Sequence, residues 1–162
     1  GVISQSCEQV NFLSYLIKKY KPQIILELGV ASGASSIVIL NTLKEILNNY
    51  HLYSIDYLSY WYADPNKKTG FLVEEKTPEL IDKWTLKTGG LACEFMDKIC
   101  PNGENDIDFC FIDTMHMRPG EILDFLMVLP YLKKNGVVVF HDTVLQTLGE
   151  KYKNYDSIYK FK

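Results

Sequence analysis

No run of 18 apolar residues occurs anywhere in this chain, so no segment of it reads as a transmembrane helix. No secretory signal pattern stands at the start. No Cys-x-x-Cys pair occurs either. Cys7, Cys93, Cys100 and Cys110 lie scattered, which argues against a zinc site or a disulfide framework and for reduced thiols in a cytoplasmic protein. There is no large excess of charge. A net charge of -3 over 162 residues gives no reason to expect nucleic acid or an anionic membrane as partner. What the chain does have is apolar surface, 47% of its residues, enough for one domain with a sizeable core. We read residues 1–162 as that single domain, with an N-terminal helix (1–22), a core (23–145) and a polar tail (146–162). Gly1 is not an initiator methionine, which fits a fragment or a tag remnant.

The rest of the chain is organised around Ile24-Ile25-Leu26-Glu27-Leu28-Gly29-Val30-Ala31-Ser32-Gly33-Ala34-Ser35-Ser36. Ile24 to Leu28 read as a strand buried on both faces. Ile39, Leu43, Ile46, Leu47 and Tyr50 then share one helical face. The order is strand, glycine turn, helix. Glycine in such a turn admits a ligand close to the backbone. The helix behind it offers free amides and a partial positive charge. A dinucleotide turn would read Gly-x-Gly-x-x-Gly. Here the pattern is Glu27-x-Gly29-x-Ala31-x-Gly33, and an acidic residue at the strand end suits a cationic or amino-bearing ligand better than a pyrophosphate.

Along the chain, residues 8–20 form an opening helix by the spacing of Leu13, Leu16, Ile17 and Tyr20. His51 to Asp56 reads as a second strand. Asp56 lies 23 residues beyond Gly33, the distance at which an acidic residue accepts ribose hydroxyls in nucleotide-binding α/β units. Residues 57–76 read as a long loop with Tyr57, Tyr60, Trp61 and Tyr62, a candidate lid or acceptor surface or else plain packing. Thr77-Pro78 opens a helix faced by Leu80, Ile81 and Trp84. Leu91 to Met96 is the expected third strand. Asp108 to Asp113 is a fourth, followed by Thr114-Met115-His116-Met117-Arg118. Pro119 opens a helix with Ile122, Leu123, Phe125, Leu126 and Leu129 turned inward. Lys133 to Gly136 is a turn, Val137 to Phe140 a fifth strand, and His141-Asp142-Thr143 stand at its end. Alternation of this kind predicts a doubly wound, mostly parallel sheet in a three-layer α/β/α sandwich. Glu27, Asp56, Asp113, His116, His141 and Asp142 then gather at the carboxyl ends of separate strands, where ligands bind in such sheets.

The stretch Glu-Leu-Gly-Val-x-x-Gly-x-Ser resembles the first motif of class I S-adenosylmethionine-dependent methyltransferases. Phe-Ile-Asp-x-x-His and Leu-Lys-x-x-Gly-Val-Val-Val-Phe-His-Asp-Thr look like the branch that holds the sugar and macrolide O-methyltransferases. The resemblance spans roughly residues 20–145 and implies a Rossmann-like fold with S-adenosylmethionine as cofactor. It implies cofactor contacts from Glu27, Gly29, Ala31, Gly33, Ser35, Asp56 and Asp113, with Phe95 and Met96 against the adenine. The implied reaction moves a methyl group from sulfonium to a hydroxyl oxygen of a small molecule or glycan. It requires in-line positioning and a base for the hydroxyl proton. His116 is the first candidate base and His141 the second, and Asp113 is a further catalytic candidate. Some relatives hold Mg²⁺ through carboxylates at the ends of the fourth and fifth strands. Asp113 and Asp142 match those positions, but Thr143 stands where catechol-type enzymes carry an Asn, so reactions with and without metal both stay open. Members commonly show Asp-Gly-Asp-His where this chain has Asp113-Thr114-Met115-His116. The family sheet usually ends in two antiparallel edge strands that the tail is too short to supply. Truncation or a partner subunit, a homo-oligomer included, would account for that. Both departures leave room for a cofactor-binding module without turnover.

Overall fold

The structure, a computed structural model, describes residues 7–100, 106–114, 119–141 and 143. Its centre is a five-stranded sheet in the order β5-β2-β1-β6-β7. The strands are β1 (Ile24–Leu28), β2 (His51–Asp56), β5 (Trp84–Thr88), β6 (Ile107–Ile112) and β7 (Leu132–Phe140). Every pairing within this sheet is parallel. β1 lies in the middle, which is why Ile24 to Leu28 carry almost nothing polar: both faces are covered by helices. Helices α1 (Cys7–Tyr20) and α2 (Ala34–Ile46) lie on one face. There Leu13, Ile17, Ile39, Leu40 and Leu43 pack with Ile25, Leu52 and Phe109. On the other face α4 (Ala92–Ile99) and α5 (Gly120–Val128) bring Met96, Ile99 and Val128 against Leu26, Leu28, Cys110 and Ile112. This is the three-layer, Rossmann-like sandwich that the alternation predicts.

The chain between β2 and α4 departs from the sequence reading. Residues 57–76 are not one open loop. They hold an antiparallel hairpin, β3 (Tyr60–Trp61) with β4 (Asp64–Lys68), and a short helix α3 (Phe71–Lys76). Thr77 does not cap a helix: its hydroxyl donates to the Val73 carbonyl, and Pro78–Lys83 is a 3₁₀ turn. The third strand of the alternation is β5, eight residues earlier than expected, and Leu91 to Met96 belong to α4. Leu80, Ile81 and Trp84 mimic a helical face. In fact Trp84 opens a strand, and the helical period resumes only at Ala92, Met96 and Ile99, all buried. The backbone N–H of Leu91 donates to Glu94 Oε1, which fixes the start of α4.

Two smaller corrections concern the far edge. Lys133 to Gly136 do not leave the sheet; they form an irregularity within β7, with Asn135 at φ 71. In α5, Val128 is buried and Phe125 half-buried, while Ile122, Leu123 and Leu126, and Leu129 just beyond its end, are exposed, Ile122 by 55%. That helix is apolar nearly all round, so its period cannot tell which side faces the sheet.

At the amino end of the sheet, Asp108 accepts the backbone N–H groups of Gln23 and Ile24 and the Lys133 ammonium. Burial pushes its pKa up, but these three donors outweigh burial and hold it below the usual carboxylate value. The same groups line a cleft of about 240 Å³ at the end opposite the predicted site. All four cysteines are thiols, and burial raises Cys100 to about 11 and Cys110 higher still. Among the described residues no helix is long and apolar enough to cross a membrane.

Candidate cofactor and catalytic site

The turn after β1 is set by two glycines. Gly29 has φ +86, and its N–H donates to the Ile55 carbonyl on β2. A Cβ there would lie 1.9 Å from the carbonyl oxygen of Asp113, so the β1 turn and the end of β6 touch through bare backbone. Gly33 has φ +94 and stands just before α2, its N–H closing the turn onto the Val30 carbonyl. Between them Ala31 also takes a positive φ, 50. That costs an L-residue energy and must be held from outside.

Two sets of bonds hold it. Asp56, at the end of β2, accepts the N–H groups of Val30 and Ala31 on Oδ2 and that of Leu58 on Oδ1. From the other side, Gly70 N–H donates to the Ala31 carbonyl and Leu72 N–H to that of Ser32. The hairpin and α3 therefore clasp the glycine loop. Asp56 stands where the sequence places it, and its carboxylate is the loop's anchor as well as a candidate ribose acceptor.

Glu27 does not face a ligand, contrary to the sequence reading. Its side chain is 0% exposed. The carboxylate accepts the hydroxyls of Ser35, Ser36 and Ser54, each at 2.6 Å. Burial drives its pKa up to about 7, against the lowering by these hydroxyls, and the Asp113 charge adds to the rise. Because the folded-state value exceeds the unfolded one, ionising Glu27 opposes folding as pH rises from the ordinary carboxylate range toward 7. Ser35 is likewise turned inward, onto Glu27. Met96 is fully buried in the core against α4's neighbours, so it offers no face to an adenine. Phe95 is half-buried on α4, next to Gly90.

At the end of β6, Asp113 N–H donates to the Leu28 carbonyl, and Asp113 Oδ1 lies 2.9 Å from His141 Nδ1. His141 N–H in turn donates to the Ile112 carbonyl. Asp113 and His141 are thus brought together from adjacent strands, with the ring of Phe111 edge-on to the imidazole. The carboxylate fixes the imidazole's orientation. Thr114 Oγ1 donates to Asp124 Oδ2 on α5, which ties down the first residue after the pair. His116 and Asp142 lie outside the described residues. Among the described residues no group of three acidic, His or Cys side chains gathers as a metal site. Ser36, Ser54 and Trp84 are site-supporting residues that sequence reasoning missed. The legible signal was two polar residues, Glu27 and Ser54, inside otherwise apolar strands; the register sets them side by side.

A turn flanked by Gly29 and Gly33, anchored by the Asp56 carboxylate and closed against the Asp113 backbone, stands at the carboxyl edge of a parallel sheet, where ligands bind in α/β folds of this kind. Residues 26–143 match the family model of a methyltransferase domain, and the chain belongs to that family. Comparison with curated protein sequences finds no match. Among solved structures, the chain is similar to the O-methyltransferase TomG of Streptomyces achromogenes, involved in tomaymycin synthesis and solved with S-adenosylmethionine. The TM-score is 0.70 at 18% identity, over 96% of this chain and 64% of that one. It is similar also to a Bacillus cereus O-methyltransferase in complex with S-adenosylhomocysteine, with TM-score 0.68 at 21% identity over 97% and 65%. The S-adenosylhomocysteine-bound Podospora anserina methyltransferase PaMTH1 gives 0.64 at 18% identity over 90% and 57%. At these identities the likeness is one of fold, and the chain spans less than two thirds of each relative's length.

Proposed function

We propose that this chain forms the cofactor-binding part of an S-adenosylmethionine-dependent methyltransferase that methylates a hydroxyl oxygen of a small molecule or glycan. The observation that carries the reading is the Gly29–Gly33 turn, held by the Asp56 carboxylate on one side and closed against the Asp113 backbone on the other. The bound cofactor supplies an electrophilic methyl group on sulfonium. The chain's part is to orient it and to receive a proton. Asp56 holds the turn open for the nucleoside and faces the ribose. Asp113, facing the cationic end, orients His141. In-line transfer would need the acceptor oxygen held opposite the methyl group, and a histidine of this chain would take the hydroxyl proton. His141, paired with Asp113, is one candidate for that proton; His116 is the other. A metal at Asp113 and Asp142 would lower the acceptor's pKa.

Transfer of tritium from methyl-labelled S-adenosylmethionine to a panel of sugars and phenols, with and without Mg²⁺, tests the reading. We expect labelled ether product with at least one hydroxylated acceptor and at least a tenfold loss in His141→Ala or His116→Ala. Saturable cofactor binding with no labelled product on any acceptor would favour the module without turnover.

A further inference from the structure

Trp84 touches the glycine loop's supports on two sides. Its indole Nε1–H donates to Ser54 Oγ at 2.9 Å. The Ser54 hydroxyl in turn donates to Glu27 Oε2, and Glu27 also accepts Ser35 and Ser36 from the first turn of α2. The other end of the indole lies under Gly70: a Cβ on Gly70 would stand 2.6 Å from Trp84 Cη2. Gly70 is the residue whose N–H clasps Ala31 from above, and a Cβ on Gly33 would in turn lie 3.1 Å from Gly70 Cα. The loop is therefore gripped from below through Glu27 and from above through Gly70, with one side chain touching both grips.

The geometry points to Glu27 and Trp84 as positioning residues for the cofactor loop, Glu27 acting through Ser35, Ser36 and Ser54, and Trp84 through Ser54 and Gly70, though neither meets the ligand. This rests on the cofactor reading given above. The physical reason for a buried carboxylate is its acceptor capacity. A carboxyl group presents two acceptor oxygens, and here Oε1 takes one hydroxyl and Oε2 two, so it ties strand β2 and helix α2 to one point on β1. An amide in its place has one acceptor oxygen and two donors, so at least one serine hydroxyl must turn away.

Amide hydrogen exchange in ligand-free protein tests the grip without any cofactor. In Glu27→Gln, and separately in Trp84→Phe, the Val30, Ala31 and Gly70 amides should exchange at least fivefold faster than in the parent. Amides of α1, remote from the loop, should keep their rates. S-adenosylhomocysteine should bind each variant at least fivefold more weakly. Variants that fold and show parent-like exchange at those three amides would overturn the inference, and so would equal acceleration in α1. Faster loop exchange in a protein that binds no S-adenosylhomocysteine would leave the grip standing and remove the cofactor reading instead. If Glu27→Gln does not fold, Trp84→Phe carries the test, since it keeps an aromatic ring in the core while removing both the indole donor to Ser54 and the ring edge under Gly70.

Discussion

Gly29→Ala is expected to destabilise the protein by at least about 3 kcal/mol and to abolish cofactor binding in whatever remains folded. Two effects add. An L-residue at φ +86 pays about 1–2 kcal/mol of backbone strain. The larger effect is contact, because the new Cβ would lie 1.9 Å from the Asp113 carbonyl oxygen. That oxygen cannot retreat cheaply. Asp113 N–H is bonded to Leu28, and Gly29 N–H to Ile55, so relief means prying β6 or β2 from β1. Gly89→Ala is the control. Gly89 has φ +83, but a Cβ there would meet nothing within 4 Å. It should cost only the strain, about 1–2 kcal/mol. Urea unfolding of the two variants measures the difference directly. Equal losses would mean that the close approach of the Gly29 turn to Asp113 is not tight in solution.

Asp56→Ala comes second in size. The carboxylate anchors three backbone amides, two of them from the glycine loop. Bonds to a charged acceptor are the stronger kind, but Asp56 is only half-buried and water can replace part of what is lost. We expect a stability loss of about 2–4 kcal/mol. Affinity for S-adenosylhomocysteine should fall at least tenfold, about 1.4 kcal/mol. Asp56→Asn keeps one acceptor oxygen and should recover part of the stability while binding the cofactor poorly. If Asp56→Ala binds like the parent, Asp56 serves the loop alone and the ribose is held elsewhere.

How much of this could be read from the residues depends on what each segment's pattern leaves ambiguous. Ile24 to Leu28, His51 to Asp56 and the run Asp108 to Asp113 were legible as strands. A short apolar run between turn signals, in alternation with helices, has few other places to go. Gly29 and Gly33 were legible because the turn needs them. Trp84 to Thr88 was not, because Leu80, Ile81 and Trp84 satisfy a helical spacing by accident across a 3₁₀ turn. Asp64 to Lys68 form a strand with polar residues throughout, since that hairpin has no buried face. Glu27 was placed correctly in the sequence and wrongly in its task. A lone carboxylate in an apolar strand attracts a ligand or builds its own hydrogen-bond partners, and only the register of β1 with β2 shows Ser54 beside it. Asp113 and His141 were legible as strand-end residues, and only the adjacency of β6 and β7 brings them together.

The most direct test of the central claim is isothermal titration of the folded parent protein with S-adenosylhomocysteine, with NAD as comparison. The account predicts saturable one-to-one binding of S-adenosylhomocysteine and no heat from NAD beyond dilution. Well-folded protein that takes up NAD, or neither ligand, would contradict it.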